Sequence, residues 1–218
     1  MQNVQTYLKL IQDRGSLEGL QEGLEGLRRA MNAEKSIFKA AEIRDSITAT
    51  LCRLAQDELG PPLRGLLASC MTDLVGAETR ALIPLVDGLI TPLTAKSTEV
   101  KVLPGGRLSM WTCLERIWAQ YGRLCASRLS DVLAAARIGS RIGEAAAVRV
   151  AAVRACVAAV TSASDSGRTV HEEVLKMAKS LLVDKLPNIR NPAAQLALAV
   201  TSRYPLSQEA CDGWRDAR

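Results

Sequence analysis

Aromatic side chains make up only 3% of this sequence, with a single phenylalanine, and histidine occurs once. Sheets are built preferentially on β-branched and aromatic residues, whereas the alanine and leucine that dominate here suit helices packed at close range. An all-α fold is expected. Long apolar runs are also missing: the longest uncharged stretch, residues 191–202, has 12 residues, short of the ~20 that cross a bilayer. The opening MQNVQTYLKLIQDR has no basic segment followed by an apolar one, so no signal peptide is expected. The six cysteines, at 52, 70, 113, 125, 156 and 211, include no C-x-x-C pair and no histidine at ligand spacing. That pattern gives no support to a disulfide or zinc framework. Cys70, Cys113 and Cys156 lie among apolar neighbours, where a reduced thiol acts as a small hydrophobe, and a cytosolic location is the expectation.

What the chain does have is apolar mass and an uneven charge. Apolar residues are 48% of the 218, enough to bury a sizeable core. Residues 1–100 carry 11 basic and 13 acidic side chains, and residues 101–204 carry 15 and 7. The second half is the electropositive one.

Glycine and proline punctuation divides the sequence into segments that mostly show 3.6-residue apolar spacing. The expected helices lie near 2–12, 16–31, 34–58, 61–75, 78–93, 106–121, 126–138, 143–162, 169–183, 188–202 and 206–216. Thr169 and Glu172 form a T-x-x-E capping box at one start. Pro61 and Pro62 stand where a helix begins and a missing N–H costs nothing. Pro192 either removes one hydrogen bond from a first turn or makes Asn191 the N-cap.

Four arginines, Arg64, Arg107, Arg149 and Arg190, recur at intervals of 43, 42 and 41 residues, each opening an apolar helix. Three residues after them stand Leu67, Met110, Ala152 and Ala193. Seven after stand Met71, Leu114, Cys156 and Ala197, and ten after stand Leu74, Ile117, Ala159 and Val200. Offsets of 3, 7 and 10 define one helical face. One helix cannot bury that face alone, and a repeat of this length built from two antiparallel helices predicts a HEAT/armadillo-type α-solenoid, with a right-handed superhelix of stacked pairs. The expected organisation is N-terminal helices over 1–59 that cap the solenoid, HEAT-like repeats over 60–204, and a short helix or truncated repeat over 205–218. Asp184, six residues before Arg190, suits a ladder of turn acids and helix-opening arginines, although only the last unit shows it. The arginines are read as structural, bridging turns and neighbouring repeats while their stems cover apolar surface. The competing reading makes them a ridge for an acidic partner.

Other features are weighed against simpler readings. His171 falls just inside a capped turn with no nucleophile context, and is expected to be a surface helix residue. LPGGRL at 103–108 lacks the spacing of a phosphate loop and reads as a turn before a helix. Trp111, Trp118 and Tyr121 read as a core stripe rather than a base-stacking platform. The tract RIGSRIGEAAAVRVAAVR is basic on one side and apolar on the other, which admits membrane-surface binding, but repeat packing explains it with fewer assumptions. Arg137, Arg141, Lys176, Lys179 and Lys185 form the candidate interaction surface. No catalytic, metal or cofactor-binding residue is assigned, and no small-molecule substrate is expected.

In order along the chain come Gly60, Pro61, Pro62 and Arg64; then Leu103, Pro104, Arg107, Leu108, Cys113 and Leu114; then Gly122, Arg123 and Ser127; then His171, Lys176, Ala178, Ser180, Leu181, Leu182, Asp184 and Lys185. This ordered set resembles the N-terminal region of the large HEAT-repeat proteins that accompany the clathrin adaptor of the trans-Golgi network and endosomes, the Laa type. Lys179 stands where that family's pattern has arginine. The resemblance covers about residues 60–200; the first 59 match only as helices. Family members are much longer, which implies a fragment or a short form. The resemblance implies a non-enzymatic scaffold in vesicle transport, cytoplasmic and peripheral at those membranes, whose partners are the clathrin adaptor complex or its accessory proteins. Self-association is a further expectation, and membrane contact comes only through partners. The alternative is a HEAT-repeat module that binds tubulin or nucleic acid through its basic half. The turns offer too little tryptophan and lysine for the first, and the second is disfavoured.

Overall fold

The computed structural model describes residues 2–95, 102–163 and 167–202, the side chains of residues 2 and 167–169 excepted. Among the described residues there are ten α-helices and no strand. They are α1 (Gln2–Asp13), α2 (Leu17–Ala33), α3 (Ala41–Leu54), α4 (Pro61–Ala77), α5 (Leu82–Thr94), α6 (Pro104–Tyr121), α7 (Leu129–Gly139), α8 (Ala146–Ser162), α9 (Gly167–Leu182) and α10 (Pro187–Thr201). Single 3-10 turns precede α3, α5 and α7. The segments expected as one helix over 34–58 are two, because the chain is extended at Ala40 and restarts there as α3. The expected helix over 206–216, the whole 205–218 segment and Cys211 lie outside the described residues.

The helices run in five consecutive hairpins, α1–α2 through α9–α10. The second helices contact one another in chain order, α2, α4, α6, α8 and α10, and the first helices do the same from α1 to α9. The result is two layers of helices that share a continuous apolar core from Val4 to Val200. All twelve apolar residues at the three shared offsets from the arginines are buried, so the repeated face is the contact face of the second-helix layer. Four alanines of α8, at 151, 152, 155 and 159, are buried, and their small side chains let α8 pack closely between α6 and α10. The 59/60 position falls in the turn between α3 and α4, inside the second hairpin.

Local chemistry accounts for where the second helices start. Proline occupies the first position of α4, α6 and α10, where its missing N–H has no intrahelical acceptor. Pro192 lies within α10, whose N-cap is Leu186, so the loss it causes is the bond to the Asn188 carbonyl in the second turn rather than in the first. At Gly106 a Cβ would stand 2.0 Å from the Gln56 carbonyl oxygen, so the start of α6 can press against the α3–α4 turn only with glycine there. That contact, together with the Gly105 N–H donating to Glu58 Oε1 at 3.3 Å, is why LPGGRL opens a helix with two glycines.

Candidate functional site

Each of Arg64, Arg107, Arg149 and Arg190 is the fourth residue of its helix: α4, α6, α8 and α10. This shared register turns every guanidinium back toward a hairpin turn. Arg64 Nη2 donates to the Leu59 carbonyl at 2.8 Å. Arg107 Nη1 meets Glu144 Oε1, in the next hairpin's turn, at 2.9 Å. Arg149 Nε donates to the Ser140 carbonyl at 2.9 Å, and its Nη2 pairs with Asp184 Oδ2 of the following hairpin. Arg190 Nη1 donates to the carbonyls of Asp184 at 2.8 Å and Lys185 at 3.3 Å. Two of the four thus link adjacent hairpins, and two tie down their own.

Turn acids are more widespread than a fixed six-residue offset reveals. Glu144 stands five residues before Arg149 and Asp57 seven before Arg64. Asp57 receives Arg14, from the first hairpin's turn, at 2.9 Å. Allowing the offset to vary by one residue would have found both. Outside the turns, further pairs reinforce the first–second and third–fourth joints. Arg28 meets Asp73 at 2.6 Å, Arg128 meets Asp87 at 2.7 Å, and Arg154 meets Glu115 at 2.8 Å. Between the second and third hairpins, Tyr121 donates its hydroxyl to the Thr72 carbonyl at 3.0 Å.

His171 is not a surface residue: it is 3% exposed. The chain enters α9 at Gly167, ahead of the expected start, and His171 shares a face with the buried Val174, Ala178 and Leu181 at offsets of 3, 7 and 10. That spacing was readable in the sequence. Thr169 lies within α9, and its capping hydroxyl is outside the described side chains. Trp111 and Trp118 are fully buried, in keeping with a core stripe, while Tyr121 is half-buried at the end of α6.

The candidate surface residues divide. Arg137, Arg141 and Lys176 line one groove of about 650 Å³, between the end of α7, the α7–α8 turn and α9. Lys179 and Lys185 do not line it. Lys185 sits in the α9–α10 turn, where its carbonyl accepts from Arg190. Arg137 pairs with Glu173 across the rim at 3.2 Å. A larger open trough of about 1030 Å³ crosses the outer faces of α6, α8 and α10. Ala119, Ala146 and Ala147 are exposed along it, Asn188, Asn191 and Gln195 line its α10 side, and the Arg154–Glu115 pair crosses it.

Cys52, Cys70, Cys113, Cys125 and Cys156 are free and buried. Burial pushes the thiols of Cys52, Cys125 and Cys156 up to about 12, and those of Cys70 and Cys113 further still. Thiolate, the nucleophilic form, is therefore scarce at neutral pH. Among the described residues no cluster of His, Cys, Asp and Glu could hold a metal ion, and no helix is long and apolar enough to cross a membrane.

No protein-family model and no curated protein matches the sequence. Among solved structures, the crystal structure of an engineered protein is similar over 100% of this chain and 85% of its own, with a TM-score of 0.57 at 14% identity. At that identity the likeness concerns the fold alone.

Proposed function

We propose that this chain is a HEAT-type α-solenoid serving as a non-enzymatic protein-binding scaffold, and that it works beside the clathrin adaptor in transport between the trans-Golgi network and endosomes. The scaffold reading is carried by the open trough over α6, α8 and α10. Exposed alanines of α6 and α8 and amide side chains of α10 line it, while Arg107, Arg149 and Arg190, which open these helices, are engaged with turns and with neighbouring hairpins. A surface built by stacking repeats can take a partner segment along its length. The adaptor assignment rests on the resemblance carried by the ordered motifs of residues 60–200.

The test is affinity capture from cytosol with the wild-type chain and with Ala119→Arg and Ala147→Arg, which fill the trough from exposed positions. Wild type should enrich clathrin adaptor subunits or their accessory proteins, and each variant should lose most of that enrichment at unchanged melting temperature. Equal enrichment by all three chains would remove the trough from the account. Enrichment of tubulin or nucleic acid in place of adaptor proteins would favour the other reading of the basic half.

A further inference from the structure

The groove between the α7–α8 turn and α9 holds four cationic side chains, Arg137, Arg141, Arg149 and Lys176, against two carboxylates, Glu173 and Asp184. Both carboxylates are engaged. Asp184 pairs with Arg149 in the groove floor, and Glu173 pairs with Arg137 on the rim. Arg141 and Lys176 are exposed, and among the described residues no carboxylate pairs with either. Beside them the wall is apolar: Met177 and Leu181 face the groove, and Ile142, at the turn next to Arg141, is 87% exposed. The rim therefore sets an aliphatic side chain directly beside two cations that no carboxylate compensates.

We infer that this groove binds an acidic peptide segment of a partner protein, with carboxylates on Arg141 and Lys176 and a bulky apolar side chain against Ile142 and Met177. The inference rests on the reading of the chain as a protein-binding module and names the partner's chemistry. Charge complementarity selects the occupant. Two cations invite two carboxylates, and the apolar wall beside them rewards a side chain that a free anion or a phosphate backbone lacks. Nucleic acid is the poorer fit, because duplex binding neutralises a row of phosphates with a row of cations, and the groove offers two. A membrane surface would need a wide apolar face, and a single exposed isoleucine does not make one. Glu173, paired with Arg137 on the same rim, opposes an incoming carboxylate by its negative charge and so limits affinity.

The probe is a short fluorescent peptide with glutamates on both sides of a leucine, titrated onto the purified full chain and compared with the same peptide carrying glutamine in place of glutamate. The glutamate peptide should bind, weakening as salt rises, and the glutamine peptide should not. Arg141→Ala and Lys176→Ala should each weaken binding by roughly fivefold or more, Glu173→Gln should tighten it, and Ile142→Ser should weaken it without altering the salt dependence. Arg141→Glu should abolish binding of the glutamate peptide and accept a lysine-bearing one. The inference is overturned if the two peptides bind equally, if Arg141→Glu binds like wild type, or if anionic vesicles or duplex DNA bind through Arg141 and Lys176 more tightly than the peptide does. It is also overturned if removal of residues 203–218 raises peptide affinity strongly, which would assign the groove to the chain's own end. Loss of adaptor capture in the trough variants together with no peptide binding leaves the scaffold standing and sinks the groove. Peptide binding without adaptor capture does the reverse for the adaptor assignment.

Discussion

Arg149 and Asp184 form an ion pair between the fourth and fifth hairpins that is almost closed to solvent, with 5% and 9% of their side chains exposed. Asp184 also accepts the Leu186 N–H at 3.0 Å, so one carboxylate orders the α9–α10 turn and joins it to α8. The hydrogen bond from Arg149 is the largest influence holding the Asp184 carboxyl below its ordinary value, followed by the Leu186 N–H. A carboxyl whose pKa is lowered in the folded chain adds stability that is present above its unfolded value and is lost as pH falls through the folded one. With an unfolded value of about 3.9, the loss should set in below roughly pH 4. Melting temperature measured against pH should fall through that range in the wild type. Asp184→Asn should melt lower at neutral pH and show a shallower acid limb; an unchanged acid limb would mean that Asp184 is not a principal source of it.

Arg190 serves the same turn from outside. It is exposed and donates only to the carbonyls of Asp184 and Lys185. Arg190→Ala should therefore cost about 1 kcal/mol, and Arg190→Lys should recover part of it because an ammonium lacks the planar fork. Arg149→Ala should be the more damaging of the two alanine variants, since it leaves a carboxylate enclosed without its cation. Chemical denaturation of the two variants decides this, and the reverse order would show that the inner pair is dispensable.

Gly106 and Gly65 occupy similar places near the starts of α6 and α4 but have opposite surroundings. A Cβ at Gly106 meets the Gln56 backbone, whereas one at Gly65 meets nothing within 4 Å. Gly106→Ala should destabilise by roughly 1–3 kcal/mol or more, as overpacking against backbone does. Gly65→Ala should stabilise by up to about 1 kcal/mol through helix propensity. Parallel thermal melts that moved the two in the same direction would contradict the close approach of α6 to the α3–α4 turn.

Leu181 is buried in α9 while Leu182, its neighbour, is only half-buried against the core. Leu181→Ala should cost about 2–5 kcal/mol, and Leu182→Ala distinctly less. Equal losses from the two substitutions, measured by denaturant titration, would mean that α9 is rotated from the face described.

The sequence by itself determined the elements and much of their register. Proline and glycine mark helix starts through missing N–H groups and tight approach, and these are local properties of the chain. The recurring arginines, with apolar residues 3, 7 and 10 positions on, were enough to name the buried face, because helical geometry converts spacing directly into a direction. His171 obeys the same rule: Val174, Ala178 and Leu181 at offsets of 3, 7 and 10 put it on the buried face rather than on the surface. What the tertiary structure decided was who meets whom. Arg107 finds Glu144 and Arg149 finds Asp184 across 37 and 35 residues, and nothing in local spacing chooses those acids over nearer ones. The basic groove likewise exists only because α9 stacks beside α7, bringing Lys176 to Arg141 and Ile142. Local chain geometry sets which way a side chain leaves its helix; the stacking of one hairpin on the next sets what it finds there.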